Sequence, residues 1–312
     1  MKVGIYCPWA NGDMIMSTPV LIYRDHLWPN AKLVWFILTK DNKHAAGLHR
    51  AHPDLVAHNP HIDEVRVSMS KPRDLVEARV GHHTNSQGHP LSVGDKAGKM
   101  RQGYRRLFPE LADIDLCYFP GPQHNCDKLT TTSFALICRS VFPFPGGAEI
   151  HPCLYFTKVE EQTAKKFVDG LPHPYTIMLE TEYHSGQSYW NADLTRETMK
   201  SARQILGKCN FVFASPKGHL PFKDDAGVVD CSAFTIRQCI PVFNHCDLFI
   251  GVASGISHAV SSWSASDKVR RVDCSNNPFI DVSCTARGPC SSAQRKEQAI
   301  PAIVEQLKAI KR

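Results

Sequence analysis

Along the first third of the chain, short apolar runs alternate with segments whose apolar residues recur at helical spacing. "KVGIYC" is a run of strand length; it leads into Asn11, Gly12 and Asp13, and a Met-rich helix is predicted from Met14 to Leu27. "AKLVWFIL" predicts the next strand, the region around "HRAHPDLVAHN" a short helix, and "IDEVRV" a further strand after the turn "NPH". Strand, helix and strand in this order is the rhythm of a parallel sheet with helices on both faces, so the pattern predicts an α/β fold. Residues 69–95 lose the rhythm and are rich in Gly, His, Ser and Asn, which predicts a mobile loop of the kind that closes on substrate. Helix and strand resume over residues 97–118, and "KLTTTSFALICRSVF" predicts another helix.

The segment "PFPGGAEIHPCLYF", residues 143–156, concentrates proline and glycine and reads as a linker. The pattern then starts afresh. Helix "KVEEQTAKKFVDGL", strand "YTIMLE", helix "LTRETMKSARQIL" and strands "CNFVFAS" and "AGVVDCS" are followed by helix "IRQCIPVFNHC", strand "DLFIGV", helix "SGISHAVSSW" and strand "KVRRVDC". The last helix is predicted over "SAQRKEQAIPAIVEQLKAI". The expected organisation is two Rossmann-like domains, residues 1–156 and 157–312, with a ligand cleft between them at the carboxyl ends of both sheets.

Length agrees with this division: 312 residues, 43% of them apolar, suffice for two domains of about 150 residues with real cores. No signal-peptide pattern opens the chain, and no apolar run approaches the roughly 18 to 20 residues that span a bilayer. A cytoplasmic protein is expected, with at most peripheral contact at the inner membrane surface. The 12 cysteines are scattered, with no C-x-x-C pair, which favours reduced thiols over disulfides and gives a metal no compact ligand set. The loose group Cys274, Cys284 and Cys290 is the one place where a metal question arises. The net charge of +6 is uneven: "KAGKMRQGYRR", residues 96–106, carries five basic residues, Arg105 and Arg106 among them, and no acid. It reads either as a solvated helix face or as a surface for an anionic glycan, lipid or protein; the aromatic interleaving of a nucleic-acid binder is missing.

Three stretches carry candidate chemistry. Asp13 stands at the tip of a strand-to-helix turn, where α/β sheets place ligands, with Asn11 and Gly12 shaping that turn. In "CDLFIGVASGISHAVSSW" a strand turns abruptly into a helix whose first N–H groups, with Ser254, Gly255, Ser257 and His258, suit a phosphate; generic strand-to-helix packing reads the same way. In "ETEYHSGQSYW" the residues Ser185, Gly186, Gln187 and Ser188 form a polar loop, either a cradle for an oxygen-rich ligand or a solvent loop. Glu180 and Glu182 could accept from ribose or sugar hydroxyls, and Lys217 in "FASPKGHLPF" is a candidate counter-charge for a phosphate.

The stretches "GDMIMSTPVLIYRDHLWPNAKLVWF", "HNPHIDEVRV" and "CDLFIGVASGISHAVSSW" together resemble, in order and across both halves of the chain, glycosyltransferase family 9, the heptosyltransferases of lipopolysaccharide synthesis. The resemblance implies a GT-B fold in which the second domain holds most of a nucleotide-sugar and the first presents the acceptor, a glycan, glycolipid or protein. It further implies transfer with inversion and without a metal or other cofactor. Asp13 would be the general base on the acceptor hydroxyl, Asn11 and Gly12 would admit the acceptor, and the 185–188 and 254–258 loops would surround the donor phosphates.

The chain departs from the family pattern at two places. Ala253 stands where the family has an aspartate before S-G, and Ser188 and Tyr189 stand where it has a basic residue before tryptophan. A basic partner for the diphosphate is then missing unless Lys217 or another group supplies it. The same residues would serve a nucleotide-sugar epimerase of this architecture, or a non-catalytic nucleotide-sugar or glycan-binding relative.

Overall fold

A computed structural model describes residues 1–7, 11–38, 53–68, 109–118, 142, 144–181, 188–214, 222–231, 234–252, 254–276 and 288–311. The chain forms two compact units that part between Cys153 and Leu154. The expected loop at 69–95 and the expected helices before residue 109 and over 128–142 fall almost wholly outside the described residues.

In the first unit β1 (Lys2–Cys7), α1 (Asn11–Ser17), α2 (Arg24–Leu27), β2 (Lys32–Leu38), β3 (Glu64–Ser68) and β4 (Leu116–Tyr118) build a parallel sheet of order β3-β2-β1-β4. Val3 faces Leu33 and Ile5 faces Trp35 across the β1–β2 ladder, and all four are fully buried. Trp35, Phe36 and Ile37 are buried in succession, so both faces of β2 are covered, as a continuous apolar run in a parallel sheet requires.

The single helix expected from Met14 to Leu27 is broken into α1, a 3₁₀ turn at Thr18–Leu21, and α2. Pro19 is the cause, because it has no N–H to give the carbonyl of Ile15. The Thr18 hydroxyl donates to that carbonyl instead, at 2.6 Å, and accepts from the Cys153 N–H at 2.7 Å. The break therefore ties the first helical segment to the end of the unit. The short helix expected near residue 53 is likewise a 3₁₀ turn, Pro53–Val56.

In the second unit α3 (Lys158–Asp169), β5 (Tyr175–Leu179), α4 (Ala192–Leu206), β6 (Cys209–Phe213), β7 (Val228–Asp230), α5 (Ile236–Phe243), β8 (Leu248–Val252), α6 (Gly255–Ala259), β9 (Arg270–Cys274), β10 (Cys290–Ala293) and α7 (Lys296–Ile310) follow in sequence. The sheet is parallel throughout, with order β10-β9-β8-β5-β6-β7. Numbered from β5, this is the Rossmann order read from the far edge, and the strand order reverses between β5 and β8. Side chains of α4 and α7, among them Leu194, Met199, Ile303 and Leu307, bury one face of the sheet.

Local chemistry sets the helix starts. Thr157 and Glu160 form a capping box on α3, Thr235 and Gln238 another on α5, and Asn191 caps α4 by accepting from the Leu194 N–H. Two expected helices are shorter than their sequences promised. The last begins at Lys296 rather than Ser292, because Cys290–Ala293 pairs as a strand with β9 and buries Ala293 completely. The helix over "SGISHAVSSW" stops at Ala259. There the buried Arg271 donates to the carbonyls of Ser257 and Val260, and the Ser261 hydroxyl donates to Ser257 as well. These are the acceptors a continuing helix would use.

Candidate functional site

The reversal of strand order in the second unit places the carboxyl ends of β5 and β8 side by side, the position at which open α/β sheets bind ligands. Glu180 leaves β5 and continues its ladder, its N–H donating to the Ile250 carbonyl at 2.9 Å. The chain leaving β8 supplies Ser254, Gly255, Ser257 and His258. Of the candidate donor-binding residues, the structure brings Ser254 and Ser257 to Glu180, a residue the sequence marked only as an acceptor of sugar hydroxyls.

Ser254 caps α6, its Oγ accepting from the N–H groups of Ile256 and Ser257 at 3.1 and 3.2 Å. Two of the N–H groups that the sequence offered to a phosphate are therefore already engaged by the cap. Ser257 is fully buried; its Oγ lies 2.6 Å from the Val252 carbonyl and 3.3 Å from Oε2 of Glu180. Gly251 makes this approach possible, since a Cβ there would come within 2.4 Å of Ser257 Oγ and of the Phe249 ring. Glu180 is only 5% exposed. Burial pushes its carboxyl up to about 8, against the opposing hydrogen bonds of Ser254 and Ser257, and the charge of Asp273 adds to the rise.

Below α6 lies a buried ionic group. Arg271 is fully buried, with Nη1 on Ser261 Oγ at 2.9 Å and Nη2 3.3 Å from an Asp273 carboxylate oxygen. The Cys290 thiol donates to Asp273 from 3.2 Å. Arg271 thus binds the C-terminal carbonyls of α6 while its charge is balanced from its own strand. His258 is buried above it, and burial, helped by the Arg271 charge, pushes the imidazole down to about 4, so it is neutral at physiological pH. Sequence reading passed over this pair. The signal was present in "RRVDC", where Arg271 and Asp273, two apart, share one face of a strand otherwise fit for burial.

The remaining candidates divide. Ser188 is buried, donating to the Cys274 carbonyl and accepting from the Trp190 N–H, both at 3.1 Å. The Tyr189 hydroxyl donates to the Ala293 carbonyl. The two residues that replace the expected basic position thus bind the segment after β5 to β9 and β10. In the first unit the backbone of Asn11, Gly12 and Asp13 forms the opening turn of α1, beyond the carboxyl end of β1, where β1 lies between β2 and β4. Ser185, Gly186, Gln187, Lys217, Arg105 and Arg106 lie outside the described residues, as do Glu182, Ala253 and Cys284. Among the described residues, eight cysteines are free and no group of three His, Cys, Asp or Glu could hold a metal ion. No helix of the described residues is long and apolar enough to cross a membrane.

No protein-family model matches the sequence, and no curated protein does. Solved structures do match it along its whole length. A glycosyl transferase family 9 protein from Veillonella parvula is 15% identical, with 98% of this chain and 97% of that one aligned at a TM-score of 0.63. The ADP-heptose LPS heptosyltransferase II of E. coli is 13% identical over 99% and 98%, at 0.64. The E. coli heptosyltransferase WaaC, solved with ADP, is 11% identical over 99% of each chain, at 0.50. Together with the two parallel sheets, these likenesses define the class: the protein has the GT-B fold. Within that class its fold resembles that of the family 9 heptosyltransferases, as the three sequence motifs led us to expect.

Proposed function

We propose that this protein is a glycosyltransferase that moves a sugar from a nucleotide-sugar to an acceptor hydroxyl, with inversion at the anomeric carbon and without a metal. The observation that carries the reading is the polar group at the reversal of a Rossmann-order sheet: Glu180, Ser254 and Ser257 converge there, in a fold shared over its full length with glycosyltransferases. The second unit is assigned the nucleotide-sugar, with the 185–188 and 254–258 loops around the diphosphate and Lys217 offsetting its charge. The ADP-bound heptosyltransferase among the structural neighbours supports a nucleoside diphosphate as the common ligand.

In this reading Asp13 takes the proton of the acceptor hydroxyl as that oxygen attacks the anomeric carbon. The bond from that carbon to the diphosphate breaks with it, and the nucleoside diphosphate leaves with the electron pair. A positioned general base contributes about 10²- to 10⁴-fold to such a step. Asp13→Asn is therefore expected to lower kcat by that factor and to leave nucleotide affinity unchanged, measured by transfer assay and calorimetry on the same preparation. Undiminished transfer would remove Asp13 from the role. Turnover of the nucleotide-sugar with no acceptor present would point to an epimerase instead.

A further inference from the structure

Ser257 has one hydroxyl proton, and two oxygens lie near it: the Val252 carbonyl at 2.6 Å and Glu180 Oε2 at 3.3 Å. The shorter contact claims the proton, because a carbonyl has none to give. The second contact then needs its proton from the carboxyl. Ser254 is placed the other way round: its oxygen already accepts two N–H groups, so its own proton is available for the Glu180 carboxyl. Glu180 also accepts from the Ser257 N–H; a neutral carboxylic acid accepts from that N–H and from Ser254 while donating to the Ser257 hydroxyl, whereas a carboxylate can only accept.

We propose that Glu180, as a neutral acid, is a positioning residue that fixes the 254–258 turn against the end of β5 and so shapes the nucleotide-sugar site. The proposal rests on the reading of that site given above. Burial holds Glu180 in this state against the hydrogen bonds from Ser254 and Ser257. Asp273 on β9 repels a second negative charge, even though Arg271 is paired with it. The buried Cys239 on α5 offers no cation, and its own thiol is pushed upward by burial, with the Glu180 charge contributing. Ionisation would set the Ser257 oxygen against a carboxylate with one proton for two acceptors, and the turn would loosen.

The test compares wild type with Glu180→Gln, whose amide reproduces one acceptor and one donor at every pH. Hydrogen–deuterium exchange of the 254–260 segment is measured at pH 6.5 and pH 9, with the two proteins compared at each pH so that base catalysis of exchange cancels. Equal protection at pH 6.5 and at least tenfold faster exchange in wild type at pH 9 are expected. Equal exchange at pH 9, or a Gln variant already faster at pH 6.5, would overturn the proposal. A second arm titrates both proteins with ADP, GDP, UDP, CDP and TDP by calorimetry. The nucleotide that binds should lose at least tenfold in affinity for wild type between the two pH values and keep its affinity for Glu180→Gln; parallel pH dependence in both would place Glu180 outside the site. If no nucleotide binds either protein, the nucleotide-sugar reading falls, while the exchange comparison still decides whether Glu180 sets the turn.

Discussion

Glu180 and Arg271 are two ionisable side chains buried in the second unit. Arg271 is enclosed by Asp273, Ser261 and two helix carbonyls. Truncation to alanine would leave Asp273 buried without its cation and release the end of α6. Breaking a buried pair in this way costs about 3–5 kcal/mol, so Arg271→Ala should lower the denaturation midpoint sharply, whereas simultaneous replacement of Arg271 and Asp273 by apolar residues should cost much less. For Glu180 the folded carboxyl sits at about 8, above its ordinary value of 4.5. Its contribution to stability is fully present below pH 4.5 and is lost as pH rises from there through about 8. The melting temperature of Glu180→Gln relative to wild type should therefore climb across that window. A constant difference from pH 4 to 9 would contradict the assignment.

At the scale of elements, stability and site geometry share residues. Glu160 closes the capping box of α3 by accepting from the Thr157 N–H at 2.7 Å, and it also receives both Nε and Nη2 of Arg237 on α5, at 2.6 and 2.9 Å. Arg237 is 4% exposed and stacks over Phe156. The bond from Arg237 holds the Glu160 carboxyl down at about 2, so this contribution is present above pH 4.5 and is lost as pH falls from there toward 2. Glu160→Ala removes the carboxylate from a buried guanidinium and should cost about 3–5 kcal/mol by chemical denaturation. Gly251→Ala should destabilise by about 1–3 kcal/mol through overpacking of Ser257 and Phe249, and any gain in stability would refute that contact.

These elements also show what the sequence made legible. The buried strands and the helices of the second unit stood out, because continuous apolar runs and apolar residues at helical spacing are local signals. Two shortened helices did not, because each is ended from a distance: by strand pairing of Cys290–Ala293 with β9 and by Arg271 reaching the carbonyls of α6; the break at Pro19 has a local signal, and Thr18 reaching Cys153 secures it. Of the candidate site, Ser254 and Ser257 were visible as small polar residues after a buried strand. That Ser257 points into the protein, and that Glu180 is neutral, depends on burial that no local pattern encodes.

Over the whole molecule, two parallel-sheet units in one chain, each with strand order running outward from its first strand, repeat a single plan. The plan puts Asp13 just beyond β1 in the first unit and Glu180 just beyond β5 in the second. In the proposed division of labour, reversal of Arg105 and Arg106 to Glu should raise the KM for an anionic acceptor at low salt and spare nucleotide affinity, since salt screens charge–charge attraction beyond about 10 Å at 0.1 M. The measurement that tests the central claim most directly is a thermal-shift panel of the full chain with ADP, GDP, UDP, CDP and TDP and their common sugars. A ligand at 100 times its Kd stabilises the native state by about 2.7 kcal/mol, a few degrees for a chain of this size. The account predicts such a shift with one nucleotide and its sugar derivatives. No shift with any member of the panel at millimolar concentration would contradict it.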